Sequence, residues 1–141
     1  MKRTLVLAAL AAALTIPAGA LGAPAVFYGE LDDQPDASVK VKTGSNESGN
    51  FVRSFVVKLY ETSCENGETA IVKRSSLTGE IPIGSRRNFR ARDSDGGTVF
   101  KVSGRIGRNK AQGTFRLSGK TPTSTETTAD CDTGRQTWTA R

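Results

Sequence analysis

The chain contains no histidine, and that absence excludes more chemistry than any residue present supports. Without an imidazole there is no serine, histidine and acid triad, no histidine-ligated zinc and no histidine general base. Cysteine is scarce, at two residues, and they do not form a Cys-x-x-Cys pair, so a thiolate metal site lacks its usual spacing as well. Aromatic residues are few, with one tryptophan, two tyrosines and six phenylalanines, and few of them interleave with the cations. Reading single-stranded nucleic acid by base stacking needs such interleaving. No repeat, heptad or helical apolar spacing follows the first segment. The sequence therefore calls for no cofactor, no metal and no specific nucleic acid.

What is present begins with an export signal. Lys2 and Arg3 precede an Ala/Leu/Val run over residues 5–16, and small residues follow at Ala18-Gly19-Ala20 and Ala23-Pro24-Ala25. This is the layout of a secretory signal peptide, and the apolar run is too short to span a bilayer comfortably. The expected organisation is a signal peptide over residues 1–25, with cleavage after Ala20 as the alternative, and a single all-β domain over residues 26–141. The expected location is secreted or cell-envelope, with no membrane span once the signal is removed; oligomeric state stays open. In an oxidising compartment Cys64 and Cys131 read as one disulfide, since two cysteines allow a single pairing.

Extended segments follow from side-chain alternation. Over residues 98–107, Thr98, Phe100, Val102, Gly104 and Ile106 share one face, while Val99, Lys101, Ser103 and Arg105 share the other. Residues 110–119 repeat this, with Ala111, Gly113, Phe115 and Leu117 apolar against Lys110, Gln112, Thr114 and Arg116. Gly107, Arg108 and Asn109 tolerate positive φ and join the two as a hairpin. Further strands are expected at 26–31, 38–43, 50–61, 69–75 and 87–93, with 77–83 an edge strand or loop because of Pro82. In the 50–61 strand Phe51, Phe55, Val57 and Leu59 would face the core, and Val52, Val56 and Tyr60 the other side. Residues 120–130 read as a threonine-rich connection and 131–140 as the closing strand, with Trp138 and Ala140 inward. The disulfide would fasten that last strand to the end of the central one. The fold class is thus all-β, an antiparallel meander of seven to nine strands forming a barrel or, failing closure, a sandwich.

Charge is unevenly spread. Residues 26–85 hold 6 basic and 9 acidic side chains, whereas residues 86–141 hold 12 and 5. If the later strands are neighbours, Arg90, Arg92, Lys101, Arg105, Lys110, Arg116 and Lys120 project from one side, a surface suited to anionic polymers. A solvated outer face kept soluble by charge is the plainer interpretation. The acids of this half, Asp93, Asp95, Glu126, Asp130 and Asp132, sit at turns and strand ends, with no spacing that fixes a catalytic pair. Asp93-Ser94-Asp95-Gly96-Gly97 begins like a calcium loop but lacks its later ligands, so it reads as a hairpin turn.

Tyr28-Gly29, the cysteine after the central strand, Ser103-Gly104-x-Ile106, Ala111-x-Gly113-Thr114-x-Arg116 and the ending Cys131-x-Thr133-Gly134-x-x-x-Trp138-x-Ala140-Arg141 form a pattern. It resembles small exported all-β proteins of Gram-positive bacteria with no assigned function. The resemblance implies a fold and carries over no catalytic residue. The leading expectation is an exported, non-catalytic β-domain that touches anionic envelope polymers through its basic sheet face. The alternatives are an inhibitor of a secreted hydrolase, acting through residues 121–130 on a secreted protein partner, and a carboxylate-dependent enzyme acting on glycans.

Overall fold

The computed structural model describes residues 24–123 and 127–141, so all of the expected signal segment except Pro24 and Ala25 lies outside the described residues. Nine strands account for the architecture: β1 (Val26–Leu31), β2 (Gln34–Asn46), β3 (Gly49–Cys64), β4 (Thr69–Pro82), β5 (Asn88–Asp95), β6 (Thr98–Ile106), β7 (Ala111–Pro122), β8 (Thr128–Asp132) and β9 (Gln136–Ala140). All pairings are antiparallel. Six strands close into a barrel in the order β1, β2, β3, β8, β7, β9, while β4 extends from β3, and β6 followed by β5 extends from β7. The strands β1 to β4 and β5 to β8 pair consecutively as hairpins, but among the described residues β4 does not pair with β5 nor β8 with β9; β8 bridges β7 and β3, and β9 inserts between β1 and β7. Closure leaves β4 and β5 as edges, and both carry exposed charges that discourage pairing with another chain.

The alternation of β6 and β7 is realised in the structure, with Phe100, Val102, Ala111, Phe115 and Leu117 buried and Lys101, Arg105, Gln112, Arg116 and Lys120 exposed. The turn between them differs in detail. Ile106 pairs with Ala111 and the Gly107 N–H donates to the Lys110 carbonyl at 2.7 Å, a four-residue loop in which no residue has positive φ. The β5–β6 turn does use it, at Gly96 (φ 55°) and Gly97 (φ 85°), which reverse the chain between the paired residues Asp95 and Thr98, while Asp93 and Ser94 stay in the ladder.

In β3 the simple alternation breaks twice. Arg53 has no partner in β2, because Lys42 pairs with Ser54 and Thr43 with Val52. Beyond this bulge Val52 enters the main core cluster, and Phe51, although buried, packs apart from that cluster, against Gly44 and 5.9 Å from the Arg53 guanidinium. Leu59 has φ 57°, and past it the inward positions fall on Tyr60 and Thr62. Leu59, expected inside, is therefore 57% exposed, and Tyr60, expected outside, is fully buried. Residues 69–82 form one continuous edge strand, β4, with Ile83 just past its end and Gly79 (φ 146°) absorbing the matching irregularity opposite Arg53.

The chain end is two strands rather than one. Gly134 (φ 64°) turns between β8 and β9, so the disulfide joins β3 to the penultimate strand, not the last. Cys64 and Cys131 stand directly opposite each other, and among the described residues the one other β3–β8 pair is Ser63 with Asp132. A two-pair ladder and one covalent bond thus complete the ring. At the other end the Ala25 N–H donates to Thr43 Oγ1 at 3.0 Å, and the Thr43 N–H donates to the Ala25 carbonyl at 2.9 Å. Cleavage after Ala20 keeps both bonds; cleavage after Ala25 removes them.

Inside, Phe55 reaches across from β3 to Trp138 (5.1 Å between ring centroids), Phe100 (6.1 Å) and Phe115 (6.5 Å), and Tyr60 meets Phe115 edge-on at 5.2 Å. Trp138 is 1% exposed, a core residue as its alternation with Ala140 implies. These rings tie β3 to β6, β7 and β9, so the outer face of those strands rests on a rigid base.

Candidate functional site

The outward residues of β5, β6, β7 and β9 form a grid set by strand register. One row is Arg92, Lys101 and Arg116; the next is Arg90, Ser103, Thr114 and Thr137; a third is Asn88, Arg105, Gln112 and Thr139. Neighbours in a row are about 4.8 Å apart along the hydrogen-bonding direction and rows about 7 Å apart along the strands. Beneath the gap between the second and third rows runs the inward row Phe89, Gly104, Gly113 and Trp138.

Two clefts lie on this grid. The larger, about 770 Å³, is lined by Arg90, Arg105, Ser103, Gln112, Thr114 and Thr139 among others, with Asp32 also on its wall. The smaller, about 500 Å³, is lined by Arg90, Arg92, Lys101, Arg116 and Arg135 around Ser103 and Thr114. Arg90, Ser103 and Thr114 belong to both, which makes one continuous polar track. Ser103 Oγ and Thr114 Oγ1 are 3.2 Å apart, so their hydroxyls hold each other in place between the cations.

The seven cations named from the sequence do not all contribute alike. Arg90, Arg92 and Lys101 converge on the smaller cleft, and Arg105 lines the larger one. Arg116 also lines the smaller cleft but is engaged by Asp132 of β8. Its Nε donates to Asp132 Oδ1 at 2.9 Å, and its Nη2 to Oδ2. Lys120 Nζ donates to Asp130 Oδ2 at 2.7 Å. These hydrogen bonds hold both carboxyls below the usual carboxylate range and raise both cations above theirs. Lys110 sits in the β6–β7 turn, beyond the last paired residues of the ladder.

Arg135 was missed. It lies in the β8–β9 turn, and its alternation with Thr137 and Thr139 is the signal that could have placed it on this face. The other acids are dispersed: Asp93 Oδ1 accepts from the Ser94 N–H at 2.9 Å, and Asp95 pairs with Thr98 at the β5–β6 turn. Glu126, and residues 124–126 of the proposed inhibitory segment, lie outside the described residues. Among the described residues no three His, Cys, Asp or Glu side chains converge, and no helix is long and apolar enough to cross a membrane. No family model matches the chain, and no curated protein or solved structure is significantly similar to it.

Proposed function

We propose that this protein is an exported, non-catalytic module that holds anionic envelope polymers on the outer face of β5, β6, β7 and β9. The observation that supports this is the convergence of Arg90, Arg92, Lys101, Arg105 and Arg135 on one hydroxyl-lined track, with none of them in an ion pair among the described residues. Guanidinium forks match the paired oxygens of phosphate and carboxylate, and the Ser and Thr hydroxyls between them add neutral hydrogen bonds. The strands fix the spacing of these groups, so little order has to be imposed when a chain of anions lies along them. Binding of this kind is driven by charge and weakens with salt.

Co-sedimentation of the oxidised, exported protein with purified cell wall at low and high salt tests the reading. Retention at low salt, release at high salt and loss of retention in the triple variant Arg90→Ser, Arg92→Ser, Lys101→Ser are expected. Equal retention of the triple variant and the wild type would remove this face from the function.

A further inference from the structure

A second cationic surface is built by different strands. On the outer side of β1 to β4 the register sets three rows: Val26, Lys42, Ser54 and Thr78; Tyr28, Lys40, Val56 and Ser76; and Glu30, Ser38, Lys58 and Arg74. Lys40, Lys42, Lys58 and Arg74 surround Val56, whose side chain is 8% exposed and forms an apolar floor. Together with Tyr28, Ser38, Ser54 and Thr78 they line a cleft of about 380 Å³. None of the four cations is in an ion pair among the described residues, and Glu30 stands at one corner of the grid. Tyr28 is 61% exposed, with Lys40 Nζ 4.9 Å from its ring centroid.

From this arrangement we infer a second binding site, at Tyr28, Lys40, Lys42, Lys58 and Arg74, for an anionic oligosaccharide. Lys42, Lys40 and the neighbouring pair Lys58 and Arg74 occupy three successive rows about 7 Å apart, so one phosphate engages only part of the set, whereas charges repeated along a chain suit all of it. An exposed phenol ring and an aliphatic floor left among cations favour a ligand with apolar ring faces as well as charge, because burying them against such a face removes apolar surface from water. The flanking hydroxyls of Ser38, Ser54 and Thr78 complement sugar hydroxyls. One aromatic ring is too few for successive nucleobases, each of which needs its own platform. The site shares no residue with the β5–β7 face and does not depend on the function proposed for it.

The test is amide chemical-shift mapping and titration of the oxidised protein with an oligogalacturonate, beside the same oligosaccharide with its carboxyls reduced, polyphosphate, and phosphatidylglycerol vesicles. Expected are shifts at Lys40, Lys42 and Val56, weaker binding of the reduced sugar, and a loss of about fivefold in Tyr28→Ala. Lys42→Ser, exposed and outside the core, is expected to weaken binding and lower its salt dependence. Shifts confined to Arg90, Arg92 and Lys101 would overturn the second site while leaving the first. Polyphosphate binding as tight as the sugar's and indifferent to Tyr28→Ala, or binding to the vesicles alone, would overturn it too. Shifts on β2 and β3 with none on β5 to β7 would support it while counting against the first face.

Discussion

At Gly104 the sheet has no room for a side chain. A Cβ there would stand 2.7 Å from Trp138 Cζ2, 2.8 Å from Phe89 Cε1 and 2.8 Å from the Gln112 carbonyl, and each neighbour is held in the core or the ladder. Gly104→Ala is therefore expected to destabilise the protein by about 1–3 kcal/mol, the usual cost of overpacking, as a lower urea midpoint with an unchanged m-value. Tyr60 makes a second single-residue case. Burial pushes its phenol up to about 12 against the smaller opposing effect of its 2.6 Å hydrogen bond with Ser75. A raised folded-state value means the native protein prefers the neutral phenol. This contribution is whole below about pH 10, where the unfolded phenol titrates, and is lost as pH rises toward 12. Urea melts at neutral and alkaline pH should show that loss in the wild type and not in Tyr60→Phe, which instead gives up about 1 kcal/mol at neutral pH with its hydrogen bond. Neither effect is written in local sequence. Gly104 is inward by alternation, but what it must leave room for comes from β5 and β9; Tyr60 is inward only because Leu59 reverses the alternation.

Among the elements, β8 has the largest consequence for its length. Five residues pair with β7 on one side and reach β3 through Ser63 and Cys64 on the other, so the ring is closed by a short ladder and the disulfide. The bond closes a sequence separation of 67 residues, for which the chain-entropy model gives about 4 kcal/mol of stabilisation. Replacing both cysteines by serine should lower stability by about that amount in denaturant titration. Hydrogen exchange should also quicken first at the Glu65 N–H, which donates to the Asp130 carbonyl, before the β6–β7 ladder opens. Equal protection at Glu65 in the oxidised protein and the serine variant would mean that closure does not rest on the bond. The β6–β7 hairpin was legible because period-two alternation over nine and twelve residues is a long signal. That 120–140 holds β8, begun inside the expected connection, and a separate β9 was not, because a left-handed glycine separates strands too short to carry a pattern of their own.

For the whole molecule, the cations face outward because the core claims the alternate positions of the same strands. Sequence placed Arg90, Arg92, Lys101 and Arg105 on one face correctly, since that needed only neighbouring strands in register. It overlooked two things that depend on closure. Asp130 and Asp132 come up beside Lys120 and Arg116 because β8 pairs with β7, and Arg135 joins the cluster from the turn that follows. Asp130→Asn with Asp132→Asn should accordingly free two cations and tighten polyanion binding at neutral pH. With a phosphate polymer, which keeps its charge there, the same gain should appear in the wild type as pH falls through the lowered carboxyl pKa values, and the protein should lose the stability those pairs give over that interval. The most direct test of the β5–β7 face is the dependence of binding constant on salt for a soluble anionic wall polymer. A steep negative slope in the wild type that flattens by about two to three in the Arg90→Ser, Arg92→Ser, Lys101→Ser variant is expected, about one for each cation removed. The same slope in both proteins would contradict it.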